Sequence, residues 1–186
     1  MPLLNAAPLP IVGAFLVTGT PSTDARGAFA RVFCETELGP QLGGRRIVQI
    51  NRSLTRSRGA IRGLHYQKAP GAEMKLVSCL RGRVWDVMVD LRAGSPSFLR
   101  WHAQELRADV PEMVVIPEGC AHGFQALEPD SEMLYLHTTA YAPALEAGVR
   151  YDEPRVAIRW PLPPTDISGR DRAHPLLDSS FQGLRS

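Results

Sequence analysis

One predicted strand of this sequence places a cation, an imidazole and a phenol within five residues. These are Arg62, His65 and Tyr66. A turn signal at Pro70 follows, and a second apolar run then begins at Lys75, an order that predicts a β-hairpin. A turn centred on Pro70 would place His65 directly across from Lys75, with their Cβ atoms about 5 Å apart on one face. An imidazole base and an ammonium that share one space suit carbanion chemistry next to a carbonyl group.

Two segments that contain histidine have the spacing of the motifs found in cupin barrels. Gly59, His65 and Gln67 follow the pattern G-x5-H-x-Q, and Gly119 and His122 follow P-x-G-x-x-H. Cupins usually bind a metal through an H-x-H pair, a carboxylate and the histidine of the second motif. Gln67 stands here in place of the second histidine, and neutral amides are weak ligands for transition metals. We therefore expect a cupin-like barrel with no metal site and no cofactor.

Short strands between turn residues dominate the pattern of the remaining chain. The clearest period of two spans residues 84–91, with Trp85, Val87 and neighbouring apolar residues on one face and Asp86 and Asp90 on the other. Further short strands are predicted at 29–33, 47–51, 101–106, 113–116 and 156–160, and the best candidate for a helix is 35–44. This pattern predicts an all-β fold, a cupin-like β-barrel (jelly roll) with short peripheral helices, in a single domain over residues 1–186.

Composition bounds the class of protein. The 186 residues include 21 basic and 19 acidic side chains, for a net charge of +2, which gives no argument for binding nucleic acid or a membrane. Three widely spaced cysteines resemble neither a disulfide framework nor a zinc site. The first 17 residues contain three prolines and no basic residue, unlike a signal peptide. No apolar run approaches the ~18 residues of a membrane span. We therefore expect a cytoplasmic protein.

A series of motifs runs in order from about Asp24 to Leu177. It includes D-x-R-G-x-F at 24–29, Q-x-N-x-S at 49–53, R-G-L-H-Y-Q at 62–67, K-L-V at 75–77, P-x-G-x-A-H-G-F at 117–124 and S-x-R-D at 168–171. The series closely resembles the dTDP-4-dehydrorhamnose 3,5-epimerase family. The resemblance implies a metal-free cupin-type barrel that forms homodimers and epimerises a nucleotide-diphospho-4-keto-6-deoxy sugar in deoxysugar biosynthesis.

The resemblance also implies roles for individual side chains. His65 matches the family's base, Asp171 the carboxylate that orients it, and Tyr135 the proton donor on the opposite face of the sugar. Lys75 would stabilise the enolate oxygen. The substrate-binding positions that match are Arg26, Phe29, Arg31, Gln49, Asn51, Arg62, His122, Tyr141, Glu146 and Arg170. Of these, Tyr141 matches an aromatic residue that stacks on the base.

Three positions depart from the family pattern. Arg31 stands where glutamate is common, Glu73 where glutamine is usual, and Leu136 where lysine is frequent. A guanidinium has no acceptor for the N3–H of thymine, but it can donate to the acceptors of cytosine or guanine. We therefore expect a preference for a nucleotide other than dTDP, such as CDP or GDP. If Arg31 instead faces solvent or a phosphate, dTDP would bind normally.

Two other functions stay open at this stage. A metal-dependent cupin oxygenase or isomerase would use His65, His122 and Glu73 as ligands. A non-catalytic barrel would bind a sugar or nucleotide without turning it over. The sequence leaves open whether C3, C5 or both are inverted.

Overall fold

The computed structural model describes residues 3–185, and within them the chain forms thirteen strands and two short helices. In chain order, the elements are β1 (Leu4–Pro8), β2 (Phe15–Gly19), β3 (Ser22–Asp24), β4 (Gly27–Phe29), α1 (Glu35–Leu42), β5 (Gln49–Thr55), β6 (Ile61–Gln67), β7 (Lys75–Arg81), β8 (Arg83–Asp90), β9 (Trp101–Arg107), β10 (Glu112–Ile116), β11 (Cys120–Ala126), β12 (Ser131–His137), β13 (Glu146–Gly148) and α2 (Gly169–Arg172). Neither helix is long and apolar enough to cross a membrane.

The strands form two antiparallel sheets and a separate hairpin. One sheet has the strand order β1-β2-β10-β7-β12-β5, the other has the order β13-β6-β11-β8-β9, and β3 pairs only with β4. Side chains from both sheets, such as Val77 and Met133 from the first and Met88 and Phe124 from the second, form one buried cluster. Since a full burial of such a side chain is worth roughly 1.5–3 kcal/mol, this shared cluster holds the sheets face to face. The predicted all-β jelly-roll barrel with short helices is confirmed.

Two further apolar clusters cover the outer faces of the sheets. Leu38 and Leu42 of α1 pack on the outside of the first sheet. The helix ends at Leu42 and is capped by Gly43, which adopts the left-handed conformation common after helices. The segment after Trp160 packs on the outside of the second sheet through residues such as Leu177 and Phe181. Helix α1 lies within the predicted helical range.

The clearest predicted strand, β8, is confirmed, but both of its faces are buried. Val87 and Val89 belong to the outer cluster of the second sheet. On the opposite face, Asp86 and Asp90 are fully buried together with Met88. Buried carboxylates require partners, and Asp90 accepts hydrogen bonds from Arg92, Ser95 and Ser97.

The predicted hairpin around Pro70 is wrong. Strand β6 pairs with β11 and β13, whereas β7 pairs with β10 and β12, so the two strands belong to different sheets. The turn signals mark a crossing loop, because the backbone at Met74 exchanges hydrogen bonds with Thr138 beyond β12. The amide of Gln67 fastens this loop by donating to the carbonyls of Gly71 and Ala140.

Two other strand predictions are also wrong. Residues 30–33 continue from β4 without a neighbouring strand, and β4 ends at Phe29. Residues 156–160 form no strand, because the N–H groups of Val156 and Ala157 both bond back to the carbonyl of Glu153 in a turn. Val156, Ile158 and Trp160 nevertheless pack on the outer cluster. Their alternation reflects burial of one side of an irregular segment.

Candidate active site

A cleft of about 790 Å³ opens between the two sheets. Its walls come from β5, β6, β7, β11 and β12, together with the segment that contains α2. The predicted site residues that line it are Asn51, Arg62, His65, Lys75, His122, Tyr135, Tyr141, Glu146, Arg170 and Asp171. This volume lies within the range typical of small-molecule sites.

His65 and Asp171 form a dyad in this cleft, although 106 positions separate them in the chain. His65 Nε2 lies 2.8 Å from Asp171 Oδ1, and the other oxygen of Asp171 accepts the N–H of Gly63 at 3.0 Å. Burial raises the pKa of Asp171, but the hydrogen bonds from His65 and Gly63 outweigh it and hold this pKa below its usual range. The ionised carboxylate favours a proton on Nε2, which leaves Nδ1 of His65 as the basic nitrogen.

The backbone of β6 and β11 sets the position of His65. His65 lies opposite His122 in the strand register, and a bulge follows between His122 and Phe124. Gly63 has a φ of +114°, and a Cβ at this position would lie 2.6 Å from the Cα of Gly123. Glycine is therefore required where the two strands approach most closely.

Lys75 reaches the same cleft from the facing sheet. Its Nζ donates to the carbonyl of His65 at 3.2 Å and lies 3.0 Å from Glu73 Oε1. Glu73 Oε2 in turn lies 2.7 Å from Nδ1 of His137. Burial raises the pKa of Glu73, but its contacts with His137 and Lys75 outweigh this and lower it. Lys75 and His65 therefore face each other across the barrel, and both can act on the same substrate. They do so from different sheets and not from the two strands of one hairpin.

Tyr135 projects from β12 into the cleft. Its hydroxyl is 3.0 Å from the hydroxyl of Ser53, and the ring of His122 lies edge-on at a centroid distance of 6.1 Å. Burial raises the pKa of Tyr135 well above its ordinary value. The phenol is therefore held in its protonated form, the form that can donate a proton.

His122 is held by a second dyad. Its Nε2 lies 2.7 Å from Asp86 Oδ2, and both side chains are buried. In the alternative metal-dependent function, His65, His122 and Glu73 would all bind one ion. His122 and the carboxylate of Glu73 would then have to be free to turn toward that ion. Asp86 engages His122, and Lys75 and His137 engage Glu73. These pairings disfavour that metal site.

Polar side chains surround the mouth of the cleft. Arg62 donates to Thr55 Oγ1 at 2.9 Å. Glu146 accepts from Arg170 and from the hydroxyl of Tyr141. The backbone N–H of Tyr141 donates to the side chain of Gln49, so that Gln49 contacts the rim and not the interior. The resulting rim is rich in donors, as binding of an anionic ligand requires.

The structure does not bring Arg26, Phe29 or Arg31 to the cleft of the same chain. Arg26 is paired with Asp24 and its side chain is 91% exposed, and Phe29 is 77% exposed at the end of the β3–β4 hairpin. Arg31 is paired with Glu37 of α1. The roles predicted for these residues require a contact beyond the single chain.

The cleft-lining side chains that sequence reasoning missed include His137 and Ser53. A usable signal existed for His137, because it follows Tyr135 by two residues on β12 and so shares its face. The rings of Tyr135 and His137 stack at a centroid distance of 6.2 Å. Ser53 stands in a predicted motif, but its contact with Tyr135 depends on the register between β5 and β12.

Comparison with known proteins gives the family of this chain. Residues 8–179 match the family model described as dTDP-4-dehydrorhamnose 3,5-epimerase. This chain belongs to that family. A relative of the same name from Sinorhizobium fredii is 38% identical over 155 residues, which cover 83% of this chain and 80% of the relative.

Solved structures of family members agree with this assignment. The dTDP-6-deoxy-D-glucose-3,5-epimerase of Legionella pneumophila, in complex with dTDP-4-keto-L-rhamnose, matches with a TM-score of 0.90 and 34% identity over 98% of this chain and 99% of the other. NovW, a 4-keto-6-deoxy sugar epimerase from the novobiocin cluster of Streptomyces spheroides, matches with a TM-score of 0.89 and 35% identity over 93% and 87% of the two chains. This epimerase family member is therefore an isomerase.

Proposed function

We propose that this protein inverts C3, C5 or both in a dTDP-linked 4-keto-6-deoxy sugar through an enolate intermediate, in deoxysugar biosynthesis. The observation that carries the proposal is the His65–Asp171 dyad, which faces Lys75 and Tyr135 in a single cleft. The C3 and C5 hydrogens of such a sugar both lie next to the C4 carbonyl, so either can be removed as a proton.

Proton removal is assigned to His65. Imidazole is the side chain that enzymes use most often as a general base near neutral pH. Asp171 holds the Nε2 proton and stabilises the imidazolium that forms when Nδ1 takes the substrate proton. The C–H electron pair forms a double bond to C4, and the π electrons of the carbonyl group move to the C4 oxygen, which becomes an enolate oxygen.

Stabilisation of that oxygen is assigned to Lys75. Its ammonium is buried in the cleft wall beside Glu73, where a charge acts more strongly than in water. Tyr135 then returns a proton to carbon from the opposite side of the ring, and the centre inverts. These steps use side chains alone and call for no cofactor.

The proposed nucleotide is dTDP. Our expectation of another nucleotide depended on Arg31 contacting the base, but Arg31 is paired with Glu37 beside α1. Glu37 also accepts the backbone N–H groups of Leu3 and Leu4, so this pair has a structural role. The family description and the dTDP-sugar bound to the Legionella relative support thymidine.

The homodimer is also part of the proposal. Strand β5 is a free edge of its sheet within the described residues, and its outer face exposes Ile50 and Leu54. The same strand carries Asn51 and Ser53 into the cleft. A second copy packed on this edge would lie beside the cleft and could bring Arg26 and Phe29 of its β3–β4 hairpin to the partner's substrate. We further propose a cytoplasmic location, in accord with three free cysteines.

The test is exchange of substrate hydrogen with solvent. In D₂O, wild-type protein should place deuterium at C3, C5 or both of a dTDP-4-keto-6-deoxy sugar, measured by NMR. His65→Asn should reduce this exchange by ~10²–10⁴-fold while dTDP affinity stays nearly unchanged. His102→Asn, a change outside the cleft, should exchange normally. A protein that binds dTDP but exchanges neither hydrogen would be a non-catalytic binder, contrary to the proposal.

A further inference from the structure

His174 has a buried nitrogen for which the fold provides no partner. Its Nε2 is inaccessible to solvent and makes no hydrogen bond to any residue from 3 to 185. A buried polar atom without a partner is energetically costly, so its presence calls for an explanation. The ring lies edge-on to His65, with 5.6 Å between the ring centroids. The proposed epimerisation does not use His174.

The position of His174 places three metal-ligating groups together. One nitrogen of His65, one nitrogen of His174 and one carboxylate oxygen of Asp171 all lie within 4.8 Å of one another. Zinc binds nitrogen and oxygen ligands at about 2.0–2.2 Å, so tetrahedral ligand atoms are separated by roughly 3.3 Å. His65 Nε2 and Asp171 Oδ1 are already 2.8 Å apart. A small inward movement of the His174 ring would complete a three-ligand site.

The charges of the cluster suit a dication. The imidazole of His174 offers the cluster a ring nitrogen that no protein group within the described residues engages. Asp171 supplies a negative charge. The guanidinium of Arg170 opposes a cation, with its NH2 group 3.3 Å from His65 Nε2. This side chain is 58% exposed, and it contacts Asp171 Oδ1 at 3.5 Å as well as Glu146, so zinc binding requires Arg170 to turn toward solvent.

We propose that His65, Asp171 and His174 form a binding site for Zn²⁺ or a similar transition-metal dication, and that the bound ion switches off the catalytic base. Two imidazoles and one carboxylate favour such ions over Mg²⁺ and Ca²⁺, which prefer oxygen ligands. The ion would replace the proton shared by His65 and Asp171. An imidazole bound to a dication is a weaker base, and Asp171 would no longer stabilise an imidazolium. The inhibitory part rests on the proposed function of His65.

The experiment uses full-length protein that has been freed of metal with a chelator and then separated from it. Zinc binding is measured by competition with a chromophoric chelator, and deuterium exchange into the sugar is measured in parallel. We expect one Zn²⁺ per chain and a loss of exchange that follows zinc occupancy, with no effect of Mg²⁺ or Ca²⁺. His174→Ala should exchange normally without zinc and bind zinc at least ~10-fold more weakly.

Two further variants test whether the effect of His174→Ala on zinc binding is direct. A Cβ at Gly148 would lie 2.3 Å from His174 Nε2, so Gly148→Ala should displace the ring and weaken zinc binding without removing a ligand. His102→Ala removes another histidine whose Nε2 is buried without a partner, but on β9 outside the cleft, and should leave zinc affinity unchanged.

The outcomes separate the two proposals. Normal exchange without zinc binding, or zinc binding that His174→Ala does not weaken, would overturn the metal site alone. Binding that depends on His174 but leaves exchange intact would overturn the inhibitory role. Binding that depends on His174 in a protein without any exchange activity would support the metal site and contradict the epimerase assignment.

Discussion

At the scale of single residues, the candidate site contains three histidine–carboxylate pairs in different environments. His65 pairs with Asp171, His122 with Asp86, and His137 with Glu73. The His122 pair is almost fully buried, whereas the side chain of His65 is 23% exposed. Accessibility to a substrate therefore favours His65 as the base, and the other two pairs support the walls against which the substrate lies.

Tyr135→Phe tests the proposed donor. The change removes a hydroxyl that contacts Ser53 but leaves His65 and Asp171 untouched. Deuterium exchange should therefore survive better than net inversion, because proton removal continues while delivery to the far face fails. Both rates can be read from one NMR time course, with Tyr151→Phe outside the cleft as the control. Equal losses of exchange and inversion would argue against Tyr135 as a separate acid.

At the scale of elements, the close approach of β6 and β11 places His65 opposite His122. Gly63→Ala should disrupt this approach, because the added Cβ meets the backbone of Gly123 and the φ of +114° is strained for alanine. We expect a loss of at least about 2 kcal/mol in the free energy of unfolding, measured by urea denaturation.

Gly94→Ala is the matched control for Gly63→Ala. Gly94 also has a positive φ, of +74°, but a Cβ there would meet nothing within 4 Å. Gly94→Ala should lower the free energy of unfolding only through the strained backbone, by about 1 kcal/mol. If both variants lose the same stability, the contact between the two strands would not be the limiting feature.

Within the described residues, the strands of the β3–β4 hairpin pair only with each other. Phe29→Ala should leave stability unchanged, because the side chain is 77% exposed. If a second copy supplies Phe29 to the cleft, the variant should weaken dTDP binding by about fivefold or more. Calorimetric titration measures this, and Val12→Ala, which alters an apolar side chain that is 51% exposed elsewhere, should bind normally. Unaltered dTDP affinity in Phe29→Ala would contradict this role for the hairpin.

At the scale of the whole molecule, a buried charge links stability to pH. Burial raises the pKa of Asp90, but the hydrogen bonds from Arg92, Ser95 and Ser97 outweigh it and lower this pKa from 3.8 to about 2. The pKa of Asp90 is lower in the folded protein than in the unfolded chain. Its carboxylate therefore contributes its full stabilisation at pH values above the pKa of the unfolded chain. This stabilisation is lost as the pH falls through the folded value. The shift corresponds to about 2 kcal/mol.

Asp90→Asn should therefore lower the free energy of unfolding at neutral pH and flatten its decline between about pH 4 and pH 2. Urea denaturation over this range provides the measurement. The control is Asp109→Asn, because Asp109 also pairs with an arginine two positions away but is 66% exposed. An exposed pair of this kind contributes little. A pH profile of Asp90→Asn identical to that of the wild type would contradict the assignment.

The sequence by itself determined much of the architecture. The alternation in β8, the dense turn residues and the two cupin-like spacings indicate an all-β barrel, since one-sided burial imposes a period of two on any extended segment. That same rule explains the error at 156–160, where an irregular segment packs one side on the core. Motif spacing also indicated His65 as a candidate, and the resemblance to the family, which covers most of the chain, added Tyr135 and Asp171 as candidates.

The tertiary structure alone decided which of these groups meet. His65 and Lys75 face each other because they lie on opposite sheets of a closed barrel, and the strand pairing that closes it is not visible in local sequence. The contact of Asp171 with His65 joins positions 106 apart, and the burial of Glu73 between Lys75 and His137 depends on two separate segments. Such contacts follow from the packing of distant elements, and local periodicity carries no information about them.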